Sequence, residues 1–167
     1  ETLWPVLKKQ VEEAIAHWRE PDRGIWEVRG EPQHFTSSKV MCWVALDRGA
    51  KLAERQGEKS YAQQWRVIAE EIKADILKHG VDSRGVFTQR YGSDALDASL
   101  LLVVLTRFLP PDDPRVRNTV LAIANELTEE GLVLRYRVEQ TDDGLSGEEG
   151  TFTICSFWLV SALVEIG

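Results

Sequence analysis

Two groups of carboxylates in this sequence stand where a proton could be given or taken. Glu27 lies in the polar stretch GIWEVRGEPQHFTSSK, residues 24–39, directly after Trp26 and two residues before Arg29. Glu148 and Glu149 stand together in GEEGTF, residues 147–152, ahead of the apolar run ICSFWLVSALV. A carboxyl beside an indole loses solvent, and a poorly solvated carboxyl keeps its proton to higher pH, as a general acid must near neutrality. The bland alternatives are a surface Glu27 paired with Arg29 and a solvated acidic turn at GEEGTF. Two carboxyls facing one another across a pocket suit glycoside hydrolysis. One protonates the leaving oxygen, and the other attacks or activates water.

Other polar groups fall in the same kinds of segment. FTQRYGSDALD carries Gln89, Arg90, Tyr91 and Asp94, hydrogen-bonding groups suited to hydroxyl-rich ligands, while Asp97 reads as the cap of a helix. LRYR carries Arg135, Tyr136 and Arg137, which either bind substrate or balance nearby carboxylates. The three histidines are scattered and form no helical pair, so no metal site is expected. Neither a Walker loop nor GxGxxG is present, and no serine or cysteine sits in a nucleophile motif. No cofactor is expected.

The elements that must position these residues follow from hydrophobic periodicity. Helices are expected at Thr2–Glu20, from Ser37 or Ser38 to near Gly57, and at Ser60–His79. Three more are expected at Asp97–Leu109, from Asp113-Pro114 to near Glu130, and at Gly150–Ile166. Short extended pieces at Val86–Gln89 and Leu132–Val138 fit the pattern too. The first, third and fifth helices are amphipathic, whereas the second, fourth and sixth are apolar on most faces. An all-round apolar helix is a buried one, so odd helices should form an outer layer and even helices an inner one. The connections alternate as well: Pro21–Thr36, Val81–Leu96 and Leu132–Glu149 are long, and the other two are short. Antiparallel succession then puts all three long loops at one end. Glu27 and the Glu148–Glu149 pair thereby share a face, though more than a hundred residues separate them.

Composition bounds the partners. With 167 residues, 43% hydrophobic and 28% charged, the chain reads as one folded domain. A net charge of -7 argues against a nucleic-acid footprint. No apolar run reaches the roughly 18 residues of a membrane span. No secretory leader pattern opens the sequence, and Cys42 and Cys155 lie inside apolar helical patterns, so a reducing, cytoplasmic setting is expected.

GIWEVRGEPQHFTSSKVMCWVALDR, YGSDALDASLLL, LPPDDPRV and DGLSGEEGTFTICSFWLV, in this order, resemble glycoside hydrolase family 15. The resemblance covers nearly the whole chain and is closest to bacterial glucoamylase-like and trehalase-like members. It implies an (α/α)6 barrel of six outer and six inner helices, and an inverting, exo-acting α-glucoside hydrolase. It implies Glu27 as general acid and a glutamate of GEEGTF as general base: Glu149, directly before Gly-Thr-Phe, with Glu148 as the alternative. Trp26, Arg29, Lys39, Arg135 and Tyr136 would line the sugar subsite, and the substrate would be trehalose, maltose or a longer α-glucan. Six helices are half of that toroid, so residues 1–167 are expected to form a partial barrel of three outer–inner hairpins. Its second and sixth helices should expose apolar flanks, to be covered by the remainder of a longer chain or by a second copy in a homodimer. A non-catalytic carbohydrate-binding or structural helical module is the competing reading, because a hydrolase pocket needs its whole rim.

Overall fold

Three pairs of helices wind in chain order. A computed structural model describes residues 3–138 and 151–167. It contains α1 (Trp4–His17), α2 (Thr36–Arg55), α3 (Lys59–His79), α4 (Leu102–Leu105), α5 (Pro114–Glu126) and α6 (Thr153–Ile166). A 3-10 turn, Ala98–Leu101, leads into α4. Two short strands, β1 (Thr128–Glu129) and β2 (Leu132–Val133), pair antiparallel.

The helices pack as the alternation of apolar faces requires. α2 touches α1, α3 and the α4 segment, which in turn touches α6; α5 packs on α6 and on the 3-10 turn. The even helices therefore follow one another along an inner layer, with α1, α3 and α5 outside. Amphipathic α3 turns Trp65, Ile72 and Ile76 into the core, all at 1% exposure or less, against Leu46 and Ala50 of α2. Each such large side chain contributes about 1.5–3 kcal/mol by leaving water. α1 and α2 approach closely at Gly49, where a Cβ would stand 2.6 Å from Val11 Cγ2 and 3.1 Å from Trp65 Cε3.

Local signals are read correctly at some ends and not at others. Asp113 caps α5, its Oδ1 accepting the Arg115 N–H at 2.9 Å, with Pro114 in the first turn. Neither Ser37 nor Ser38 caps α2; Phe35 holds that position, and the Ser38 hydroxyl donates to Asp22 instead. The expected fourth helix, 97–109, shrinks to two short turns. Arg107 adopts φ 57°, and Phe108 N–H donates to Val103 O at 3.0 Å, which closes the helix in a Schellman-type bond. Its apolar run is still core: Leu100, Leu101, Val104 and Phe108 are at most 1% exposed. The fifth helix stops at Glu126 rather than near Glu130: Leu127 leaves the helix at φ -116° and Thr128–Glu129 enter β1, after which Glu130 and Gly131 both take positive φ, 48° and 81°. That pair of dihedrals makes a type I′ hairpin loop between β1 and β2.

α6 shows the open apolar flank expected of an inner helix in half a toroid. Cys155, Leu159 and Ala162 are buried, yet Phe157, Val160 and Val164 are 68%, 59% and 78% exposed. Met41 on α2 is exposed as well. One stripe of α6 is covered by this chain and the opposite apolar stripe is open among the described residues, as half a toroid requires.

Candidate active site

The three long connections meet at one end through named hydrogen bonds. Thr36 N–H donates to Gln89 O, and Phe35 bridges Arg90, which joins the first loop to the second. Asp97 bridges Tyr136, and Ala98 N–H donates to Arg135 O at 2.8 Å, which joins the second to the third. Leu134 bridges Thr151, and Phe152 N–H donates to Val133 O at 3.1 Å, so the segment opening α6 is clasped to the same strand. The common face expected from loop lengths is what the structure forms.

The first loop holds its shape by internal bonds. Asp22 and Gln33 pair through both backbone bonds, and the Asp22 carboxylate accepts from Gly24 N–H and the Ser38 hydroxyl. Inside that frame Val28 N–H donates to Arg23 O and Glu27 N–H to Gly24 O. This is the paired closure that normally ends in a left-handed glycine. Here Glu27 takes that position, with φ 52°. The Arg23 guanidinium caps the turn by donating to the carbonyls of Val28 and Gly30. Glu27 is exposed, as is Arg29, while Trp26 beside them is half-buried. Desolvation of Glu27 by its neighbouring indole is thus not provided by the described residues.

Trp26 is the centre of an aromatic and cationic cluster. Its ring meets Phe152 edge-on at 5.9 Å and lies 6.2 Å from Trp158. The Arg135 guanidinium stands 5.6 Å from Trp26, 5.4 Å from Tyr136 and 5.7 Å from Phe152, within reach of each ring's negative face. Tyr136 is buried beneath. Phe152 closes the GEEGTF motif, so the end of that motif lies against the residue that precedes Glu27. Glu148 and Glu149 themselves lie outside the described residues.

Asp97 is more than the helix cap expected from its position. It is 1% exposed, and its carboxylate accepts from Trp26 Nε1 at 2.9 and 3.0 Å, from Gln89 Nε2 at 3.0 Å and from Ser99 N–H at 2.7 Å. Burial pushes its pKa up, and the Ser99, Gln89 and Trp26 donors pull the other way. No short-range pattern could have paired it with Trp26, 71 residues earlier.

Lys39 sits elsewhere. It is 2% exposed, its amine donates to the Glu20 carbonyl, and burial pulls its pKa below the usual lysine range against the field of Asp22. It lines a cavity of about 290 Å³ with Trp18, His34, Asp75, His79 and Tyr91. There the Tyr91 hydroxyl donates to Asp75 at 2.9 Å, its ring stacked on His34 and tilted against His79. Of the five expected sugar-binding residues, the structure gathers Trp26, Arg135 and Tyr136, leaves Arg29 exposed on the first loop, and gives Lys39 to a second cavity.

The helical architecture is that of solved glycoside-cleaving enzymes. A wild-type glycosidase superposes with a TM-score of 0.79 at 23% identity, over 94% of this chain and 40% of that one. A bacterial glucoamylase complexed with acarbose superposes with a TM-score of 0.67 at 16% identity, over 81% of this chain and 24% of that one. The family model for glycosyl hydrolases family 15 matches residues 1–166, and the chain belongs to that family. A trehalase of Mycobacterium tuberculosis is 93% identical over all 167 residues, and a trehalase of Thermoplasma volcanium is 37% identical over 164. The chain spans 25% and 26% of the length of these two relatives. The expected family and half-toroid fold are therefore correct.

Proposed function

We propose that the protein carrying this chain is an inverting, exo-acting hydrolase that releases glucose from an α-glucoside, with trehalose as substrate. The observation that carries this reading is the 93% identity with a trehalase over every residue of the chain. The meeting of Trp26, Arg135 and Phe152 at the shared loop face supports it.

In this reading Glu27 donates its proton to the glycosidic oxygen as the bond to the anomeric carbon breaks. Glu149, or Glu148 in its place, takes a proton from a water molecule that attacks the same carbon from the opposite face. The products are glucose with inverted configuration and the departing glucose unit, and the two carboxyls finish with exchanged protonation. Trp26 offers an apolar platform for a sugar face, and Arg135 and Arg29 offer donors to its hydroxyls. Lys39 is better read as securing the start of the first loop through the Glu20 carbonyl.

The test is glucose release from trehalose, maltose and starch by the full-length protein. Trehalose should be cleaved, with α- and β-glucose appearing in equal amounts by NMR before mutarotation. Glu27→Gln and Glu149→Gln should each lower kcat by about 100-fold or more, and Glu148→Gln should not. Sugar binding without turnover in the wild type would instead support the binding-module reading. Initial release of α-glucose alone would overturn inversion.

A further inference from the structure

The reading above names the acid but leaves open what holds it. Glu27 is exposed, and its own backbone occupies a left-handed conformation that a glutamate does not favour. Something must keep the turn from relaxing. Its internal bonds fix its shape, and the Ser38 hydroxyl of α2 holds its base through Asp22. The nearest tie to the frame is the side chain one residue earlier: the Trp26 indole N–H reaches both oxygens of Asp97.

Asp97 is suited to that task. It stands at the head of the 3-10 turn that begins the inner α4 segment, whose leucines are core. Each oxygen accepts two hydrogen bonds: Oδ1 from Trp26 and Ser99, Oδ2 from Trp26 and Gln89. Among the described residues each side-chain partner is a donor, so the ionised carboxylate fits and a protonated one faces no acceptor among them. Its backbone pairs with Tyr136, and the next residue pairs with Arg135, whose guanidinium lies over the Trp26 ring. One buried residue therefore joins the first loop and the second through its side chain and the start of the third through its backbone.

We propose that Asp97 is a positioning residue for the reaction: by gripping the Trp26 indole from the core side, it fixes the Trp26–Glu27 turn and sets where the Glu27 carboxyl stands. This rests on Glu27 being the acid. Asp97 touches no substrate in this scheme and acts only through Trp26.

A double-mutant cycle in the full-length protein tests it, with Asp97→Asn, Trp26→Phe and both together, reading kcat and KM on trehalose and thermal unfolding. The asparagine keeps the volume but turns an amide donor toward groups that donate. Asp97→Asn should lower kcat about 10-fold or more with KM within about twofold, and in the Trp26→Phe background the same change should cost less than about threefold. Equal loss in both backgrounds, or no loss of kcat, overturns the proposal. Should Asp97→Asn fail to fold, Trp26→Phe alone decides. A fall in kcat with KM held supports the grip, whereas wild-type kcat, or a rise in KM alone, overturns it. Glu27→Gln, run alongside, separates the two ideas: full turnover in that variant removes Glu27 as the acid, whatever the cycle shows.

Discussion

Glu27 occupies a backbone position that glycine usually fills, and at this position the chain has placed a carboxylate. The left-handed conformation costs a non-glycine residue about 1–2 kcal/mol. Arg107 and Glu130 take the same conformation, but one ends a helix and the other turns a hairpin. Glu27→Gly should accordingly raise the thermal midpoint, by an amount equivalent to about 1 kcal/mol, while turnover is lost. A lower midpoint would mean that the Glu27 side chain stabilises the fold more than its backbone strains it. At this scale the sequence was half legible. Trp26 beside Glu27 marked the loop, because an indole next to a carboxyl is a chemical pattern within two residues. The grip of Asp97 on Trp26 was hidden, since a contact across 71 residues leaves no spacing to read. Lys39 was named only through the family resemblance, and only the fold shows the Glu20 carbonyl that its amine reaches.

Between helices, two substitutions test how the elements are held. Gly49→Ala would drive a methyl into Val11 and Trp65, both buried, where α1, α2 and α3 converge. It should cost about 1–3 kcal/mol by chemical denaturation; a neutral result would show that α1 can shift outward. Asp113→Ala removes the α5 cap and should cost about 1 kcal/mol at neutral pH. The Arg115 side chain holds the Asp113 carboxyl below its usual pKa. A depressed folded-state value means the stabilisation is fully present above the unfolded pKa of about 3.9 and is lost as pH falls through the folded one. The difference between Asp113→Ala and wild type should therefore shrink in melts taken well below pH 3.9, and a constant difference would assign it to packing. Helix existence was legible here from periodicity, and Asp113-Pro114 announced its own start. The ends of α4 and α5 were not, because Arg107 takes a left-handed conformation its residue type does not advertise and the chain after Leu127 turns into a two-strand hairpin that helical periodicity does not show.

For the whole molecule, the informative surface is the open face of α6. Phe157, Val160 and Val164 form a contiguous apolar stripe on an inner helix, more than a solvated surface ordinarily carries in one place. The chain spans about a quarter of the length of its trehalase relatives, and we propose that further helices of a longer polypeptide, rather than a second copy, cover this stripe. Produced alone, the 167-residue chain should self-associate at micromolar concentration by light scattering. Phe157→Glu with Val164→Glu should return it toward the monomer. A clean wild-type monomer would show that the stripe is tolerated in water. The layer order was legible from the alternation of amphipathic and all-round apolar helices, and the shared loop face from alternating loop lengths. Which side of α6 stays open was not, because its sequence is apolar in every direction and only the neighbours present distinguish one side from another.

The clasp between Leu134 and Thr151 carries a further consequence. It fastens both ends of the third connection, residues 135–150, to one strand, independently of what lies between them. Closing a flexible loop grows costlier only slowly with length, by about 0.6 kcal/mol for each doubling. A variant lengthened between these two anchors should therefore keep its thermal midpoint within about 1 kcal/mol of wild type, and a larger loss would show that the anchors alone do not hold α6 in place.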